Sequence, residues 1–186
     1  MSGRLILPVG GGDHIQGPID APLTLLEYGD YECPYCARAY PIRKRVQERM
    51  GKRLRFVFRN FPLSEIHPHA AHAAEAAESV AVHGGPDAFW VMHDLIYEHQ
   101  KEGERALGDA GLARLAAEAG VDGEVVLEDL RLHKQYARVH EDFMSGVRSG
   151  VNGTPTFFIN GHRFDGDWQE EEALLAALGA YSGSPP

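Results

Sequence analysis

The chain has 186 residues, 44% of them hydrophobic, which suits one sizeable core and leaves too little for two full domains. Its formal net charge of −9 argues against nucleic acid as a partner, because phosphate backbones require clustered cations. No stretch approaches the roughly 18 continuous apolar residues of a membrane span, and the opening MSGRLILPVGGG is too short in apolar character for a secretory signal. The expected compartment is therefore the cytoplasm, where structural disulfides are rare.

In chain order, APLTLLEYGD carries a buried-strand pattern from Leu23 to Tyr28, stopped by Gly29 and Asp30. The next stretch, CPYCARAYPIRKRVQERMGKR, reads as a helix with Pro34 in its first turn and Gly51 at its end; Pro41 predicts a kink. RLRFVFRNFP then alternates, placing Leu54, Phe56 and Phe58 on one face and Arg55, Val57 and Arg59 on the other. Strand, helix and strand together predict a right-handed parallel crossover.

From Ser64 to Ser149 the sequence becomes alanine-rich and helix-periodic. Breaks fall at HGGP (His83 to Pro86), KEGERALGD (Lys101 to Asp109) and GVDG (Gly120 to Gly123). This is read as an all-helical insertion over 64–149, dividing a core of 1–63 and 150–186. Strand pattern resumes at TPTFFING and HRFDG, with Asn160 and Gly161 as a two-residue turn. A last helix, QEEEALLAALGAY, opens with three glutamates where the helix dipole favours negative charge, and the SGSPP tail is expected to be mobile. The predicted order is βαβ, helices, ββα.

Half of the eighteen Lys and Arg residues lie between Arg38 and Arg59: Arg38, Arg43, Lys44, Arg45, Arg49, Lys52, Arg53, Arg55 and Arg59. The leading interpretation is a solvated helix face followed by a strand edge. The alternative is a docking patch for an acidic partner.

ECPYC holds both cysteines of the chain, Cys33 and Cys36. A structural staple is a poor explanation, since a disulfide closing so small a ring constrains the unfolded chain little. A metal centre would need further ligands. The densest group, His67, His69 and His72, has the wrong spacing, Pro34 stiffens a helix start, and no metal is expected; His69 and His72 instead fit the first helix of the insertion. A redox dithiol fits best, because C-x-x-C at a strand exit and helix start within a βαβ unit is a thioredoxin-like signature. Near the N-cap, Cys33 meets free backbone N–H groups and the positive end of the dipole, which favour its thiolate. Cys36 lies one turn in and deeper. Cys33 is thus the attacking thiol and Cys36 the resolving one.

From DHIQGPIDAPLTLLEYGDYECPYC through the helical middle to GVNGTPTFFINGHRFDG, the chain resembles the DsbA-like branch of thioredoxin-fold oxidoreductases. The resemblance covers nearly the whole length. It implies an α/β thioredoxin-like fold interrupted by a helical domain, and thiol–disulfide oxidoreductase activity with no cofactor. It also implies that Thr154 and Pro155 form a cis-proline loop facing the cysteines, where Thr154 offers backbone groups to an extended substrate. Glu27, six residues before Cys33, matches a buried acid of the family. A carboxylate in an apolar strand is costly to ionise, so its pKa should rise, and it could take the proton of Cys36. The competing interpretation of Glu27 is a strand-end glutamate reaching water.

The sequence departs from the strongest oxidants of the family, whose central dipeptide is commonly Pro-His. Here Pro34–Tyr35 stands instead, and Asp30 and Glu32 add negative charge near Cys33, so a less oxidising pair is expected. Pro34 and Tyr35 are assigned to the substrate groove, whereas Tyr28, Tyr31, Tyr40, Phe157 and Phe158 are read as packing. The implied partners are protein or peptide disulfides or thiols, and a recycling carrier such as glutathione or a thioredoxin-like dithiol. In a reducing cytoplasm, net reduction or isomerisation is favoured. Two other functions fit the same fold: a redox-sensing, chaperone-like peptide holder, and a glutathione-dependent isomerase or transferase, whose relatives usually lack the second cysteine.

Overall fold

The structure, a computed structural model, describes residues 3–182. Five strands form one sheet: β1 (His14–Gln16), β2 (Leu23–Gly29), β3 (Leu54–Asn60), β4 (Thr156–Ile159) and β5 (His162–Arg163), in the order β1-β3-β2-β4-β5. The central strand, β2, is buried along its whole length. It pairs with β3 in parallel and with β4 antiparallel, the parallel pair being joined through α1 (Pro34–Met50). This α1 is one helix that includes Pro41, with Pro34 in its first turn and Gly51 as its C-cap.

Strand alternation sorts the core into two sides. Leu25, Phe56, Phe58 and Phe157 belong to the larger cluster with Val46 of α1 and Leu174 and Leu178 of α7 (Glu171–Ser182). Leu26, Tyr28, Val57 and Phe158 pack with Phe61 and Val151 on the other side. Both faces of the sheet are covered, so its inner strands carry apolar residues in both alternations.

The short β1 has no counterpart in the sequence prediction. It pairs antiparallel with β3, which makes β3 an interior strand rather than an edge. The solvated reading of the basic run is corrected accordingly at two positions, Arg43 and Arg59, each 1% exposed. Arg59 is turned inward because Asp13 accepts from its Nε and Nη2 at 2.7 and 2.9 Å, while Tyr28 Oη and the carbonyls of Leu7 and Pro8 take its remaining donors. Arg45 and Arg49 reach across to Glu171 and Glu172, so these glutamates serve α1 as well as the start of α7.

Between β3 and β4 run α2 (Ala70–His99), α3 (Glu104–Leu107), α4 (Asp109–Glu118), α5 (Gly123–Arg131) and α6 (Tyr136–Arg148). Helix α2 is interrupted at Gly85, whose φ of 81° is open to glycine, and Pro86 restarts it, as the HGGP break requires. Asp122 caps α5 by accepting from the Glu124 N–H. The break between α5 and α6 has no Gly or Pro signal; it is made by His133 at a φ of 49°. Small side chains at Ala73, Ala76 and Ala77 of α2 let it lie close to Leu112, Leu115 and Ala116 of α4 and to Val126 and Leu130 of α5.

A polar clamp ties these helices to the sheet. Asn60 at the end of β3 donates its backbone N–H and Nδ2 to Asp142 of α6 and Nδ2 to Glu78 of α2. In the final hairpin Asn160 and Gly161 both have positive φ, as a type I′ turn demands. Of the SGSPP tail, all but Ser182 lies outside the described residues.

Candidate active site

Strand β2 ends at Gly29 and the chain turns through Asp30, Tyr31 and Glu32 into α1, with Cys33 as the N-cap. Asp30 is the centre of this turn. One carboxylate oxygen accepts from the backbone of Glu32 and Cys33 at 2.8 and 3.2 Å; the other accepts from the Leu63 N–H and from His67, both at 2.8 Å. From the opposite side Gln100 donates to the carbonyls of Tyr31 and Cys33 at 2.8 and 2.9 Å. The backbone that presents Cys33 is therefore held by β3's exit loop and by the end of α2 together.

Both cysteines are free thiols, Cys33 being 3% exposed and Cys36 fully buried. The Cys33 Sγ lies 3.5 Å from the carbonyl oxygen of Thr154, and the Thr154–Pro155 peptide is cis. Their acidities are driven apart. A hydrogen bond from Cys36 is the largest influence on Cys33; against the opposing effect of burial, and with help from Thr154 and the N–H groups of Cys36 and Tyr35, it lowers that thiol from 9.0 to about 6. Cys36 is pushed well above 9.0, first by burial, then by its bond to Cys33 and by the charges of Glu27 and Cys33. Helix position contributes to the division: Cys33 meets N–H groups without partners, whereas Cys36 is enclosed by the core.

Glu27 does not reach water. It is 2% exposed, shares the sheet face of Leu25, and sits in register with Phe58 on one side and Phe157 on the other. Burial raises its pKa from 4.5 to about 7; the Arg43 charge opposes the rise and Cys33 adds to it. Arg43 comes from α1. Its Nη1 donates to Gln47 at 2.6 Å, its Nη2 lies 2.9 Å from His93 Nε2, and its guanidinium rests 4.3 Å over the Phe56 ring. Since arginine only donates, His93 Nε2 is the acceptor there, and Nδ1 carries the proton toward Tyr31 Oη at 3.0 Å. Burial and the neighbouring Arg43 hold His93 well below its usual 6.5, which keeps it neutral.

Pro34 and Tyr35 stand outside, Tyr35 51% exposed, while Tyr28, Tyr31 and Tyr40 are interior. The three sequence histidines are separately engaged: His67 with Asp30, His69 with Glu104 and His72 with Asp109. Among the described residues no group of three or more His, Cys, Asp or Glu side chains is arranged to hold a metal. Sequence reasoning did not single out Arg43, His93 or Gln100. The available signal was a polar residue on an apolar helical face: His93 and Gln100 lie at helical spacing from Trp90, Ile96 and Tyr97.

A family model described as thioredoxin matches residues 10–178. The chain superposes on the crystal structure of oxidised BdbD from Bacillus subtilis with a TM-score of 0.85 and 25% identity, covering 97% of this chain and 96% of that one. This chain belongs to the thioredoxin family. It shares its fold with alpha-DsbA1 of Wolbachia pipientis, at a TM-score of 0.78 and 19% identity, over 96% of this chain and 94% of that one. It is also 40% identical over 173 residues to a protein of Salinispora tropica named Na(+)/H(+) antiporter NhaA 3, a match covering 92% of this chain and 25% of the relative. The chain spans about a quarter of the length of the curated relatives it matches.

Proposed function

We propose that this DsbA-like chain is a thiol–disulfide oxidoreductase that works through a mixed disulfide at Cys33. One observation carries the proposal: Cys33 caps α1 with its Sγ 3.5 Å from the carbonyl of Thr154, before a cis Pro155, and Cys36 lies buried one turn on, an arrangement that drives the acidities of the two thiols apart. At neutral pH Cys33 is a nucleophile and Cys36 holds its proton.

In the reductive direction the Cys33 thiolate attacks one sulfur of a substrate disulfide, and the other substrate sulfur leaves as a thiolate that takes a proton from water. Glu27, poised near 7, accepts the Cys36 proton. The Cys36 thiolate then attacks Cys33 Sγ and displaces the second substrate sulfur. The substrate gains two electrons and Cys33–Cys36 becomes a disulfide, which an external thiol or dithiol carrier, glutathione or a thioredoxin-like protein, returns to the reduced form. Thr154 and Pro155, beside Cys33 Sγ, receive an extended protein or peptide substrate, and Pro34 and Tyr35 form the exposed rim. In a reducing cytoplasm the flow is from the pair to the substrate. No helix among the described residues is long and apolar enough to cross a membrane, and the ion transport named for the longer relatives is not proposed for these residues.

The test is a titration in glutathione redox buffers with trapping of free thiols, run beside turnover of a peptide disulfide by the native protein and by Cys33→Ser. The expected result is a single two-electron transition and loss of turnover in the variant. Thiols that stay reduced across the whole series, or a Cys33→Ser variant that keeps its turnover, would overturn the assignment. Suppression of aggregation by the variant, without redox turnover by the native protein, would establish a peptide holder instead.

A further inference from the structure

Seven of the nine cations between Arg38 and Arg59 are engaged within the chain: Arg43 with His93, Lys44 with Asp94, Arg45 and Arg49 with Glu171, Arg53 with Met50, Arg55 with Thr24 and Arg59 with Asp13. Among the described residues, Arg38 and Lys52 make no hydrogen bond or ion pair. Arg38 is the one at the reactive end of α1. Its guanidinium lies 4.6 Å over the ring of exposed Tyr35, one of the two residues between the cysteines.

This geometry follows from helix construction. Arg38 is five residues beyond Cys33, about 7.5 Å along the axis, and helical side chains lean toward the N-terminus. The charge is thereby carried back over Tyr35, toward the end of α1 that Cys33 caps. Neither nearby carboxylate pairs with it: Asp30 accepts from the Leu63, Glu32 and Cys33 N–H groups and from His67, and Glu32 accepts from the His69 N–H at 2.6 Å. Two exposed side chains stacked on each other hold no part of the fold. A chain with net charge −9 repels acidic polypeptides at long range, so only a local cation can admit one to its nucleophile.

We propose that the stacked Tyr35–Arg38 pair is a specificity element that takes a carboxylate on the polypeptide whose disulfide reacts at Cys33. The inference rests on the oxidoreductase reading and adds a substrate class to it, disulfides flanked by Asp or Glu. Neighbours two or three residues from a substrate cysteine in an extended chain lie about 7–10 Å away, which matches the reach of Arg38. A single guanidinium on an aromatic face suits one planar carboxylate, which it can hold with two parallel hydrogen bonds.

The test uses three peptides, each with one cysteine joined by a disulfide to thionitrobenzoate and alike except for Glu, Gln or Lys two residues away. Cys33 attack puts the peptide on the protein and releases the coloured thiolate, and Cys36 then frees the peptide. Rates are followed by stopped flow for the native protein, Arg38→Gln, Arg38→Glu and Arg38→Lys. The native protein is expected to favour the Glu peptide over the Gln peptide by about threefold, with the Lys peptide slowest and the differences fading at roughly 1 M salt. Arg38→Gln should bring the ratio to about one and Arg38→Glu should invert it, while Arg38→Lys retains part of it. Equal rates on all three peptides, or a preference that survives Arg38→Gln, would overturn this proposal and leave the oxidoreductase reading standing. No release from any peptide would remove both.

Discussion

Replacing Glu27 by Gln should stabilise the protein at pH 8 relative to its effect at pH 4, an unusual outcome for a buried residue beside reactive groups. Burial, opposed by Arg43, sets the Glu27 pKa at about 7 in the folded chain against 4.5 ordinarily. Between those values the native protein keeps a proton that the unfolded chain has released. Stability therefore falls as pH rises from 4.5 to about 7 and is level above that range. At about 1.4 kcal/mol per pH unit, the gap amounts to about 3 kcal/mol of native-state cost at pH 8, absent at pH 4 where both states are protonated. The amide cannot ionise and escapes this cost. Its extra N–H donors want acceptors in an apolar site, a loss of about 1–3 kcal/mol that does not vary with pH. The diagnostic is thus the pH dependence of the difference between the two proteins. Urea denaturation from pH 4 to 8 measures it, in a Cys33→Ser background so that the thiol titrating near 6 does not overlap. A constant difference would refute the reasoning. So would a variant whose loss grows toward pH 8, since that would mean an ionised Glu27 stabilised by Arg43.

Alkylation of Cys33 by iodoacetamide should follow a titration centred near pH 6, and Cys36→Ala should move the midpoint upward, because the hydrogen bond from Cys36 is the largest influence lowering it. A midpoint unmoved by the substitution would assign the effect to the helix N-terminus instead. Asp13→Ala should cost about 3–5 kcal/mol in urea denaturation, since it leaves the Arg59 guanidinium, 1% exposed, without its carboxylate. A loss below about 1 kcal/mol would show that the Leu7 and Pro8 carbonyls and Tyr28 suffice.

What could be read from sequence is what local signals encode. Strand β2, helix α1 and the Asn160–Gly161 hairpin each have their own punctuation, and the C-x-x-C spacing places the thiols before any tertiary contact is known. Glu27 was conspicuous because a carboxylate conflicts with the strand around it. The missed features depend on distant partners. Three residues of β1, His14–Gln16, show no pattern of their own and become a strand by pairing with β3. Arg59 meets Asp13 across 46 residues and Arg43 meets His93 across 50, so residue type suggested surface where long-range pairing put both inside. Asp30 was read as a charge disfavouring the Cys33 thiolate. In the fold four N–H donors converge on it, and it serves as the anchor of the turn.

The same charges explain how the proposed base could be reset within one cycle. While the pair is reduced, the Cys33 thiolate adds to the burial that raises Glu27, so the carboxyl tends to hold a proton. Once Cys33 has entered the mixed disulfide, that negative charge is gone. Arg43 remains, fixed by Gln47 and by a His93 that burial keeps neutral, and it continues to pull Glu27 downward. The acid then gives up its proton more readily, and the resulting carboxylate is ready to take the Cys36 proton when that thiol attacks Cys33 Sγ. A protonated His93 would add a second positive charge beside Arg43 and draw Glu27 toward permanent ionisation. The neutral imidazole holds the guanidinium by accepting from it, and so leaves Glu27 balanced between one buried cation and one thiolate whose charge comes and goes with the reaction.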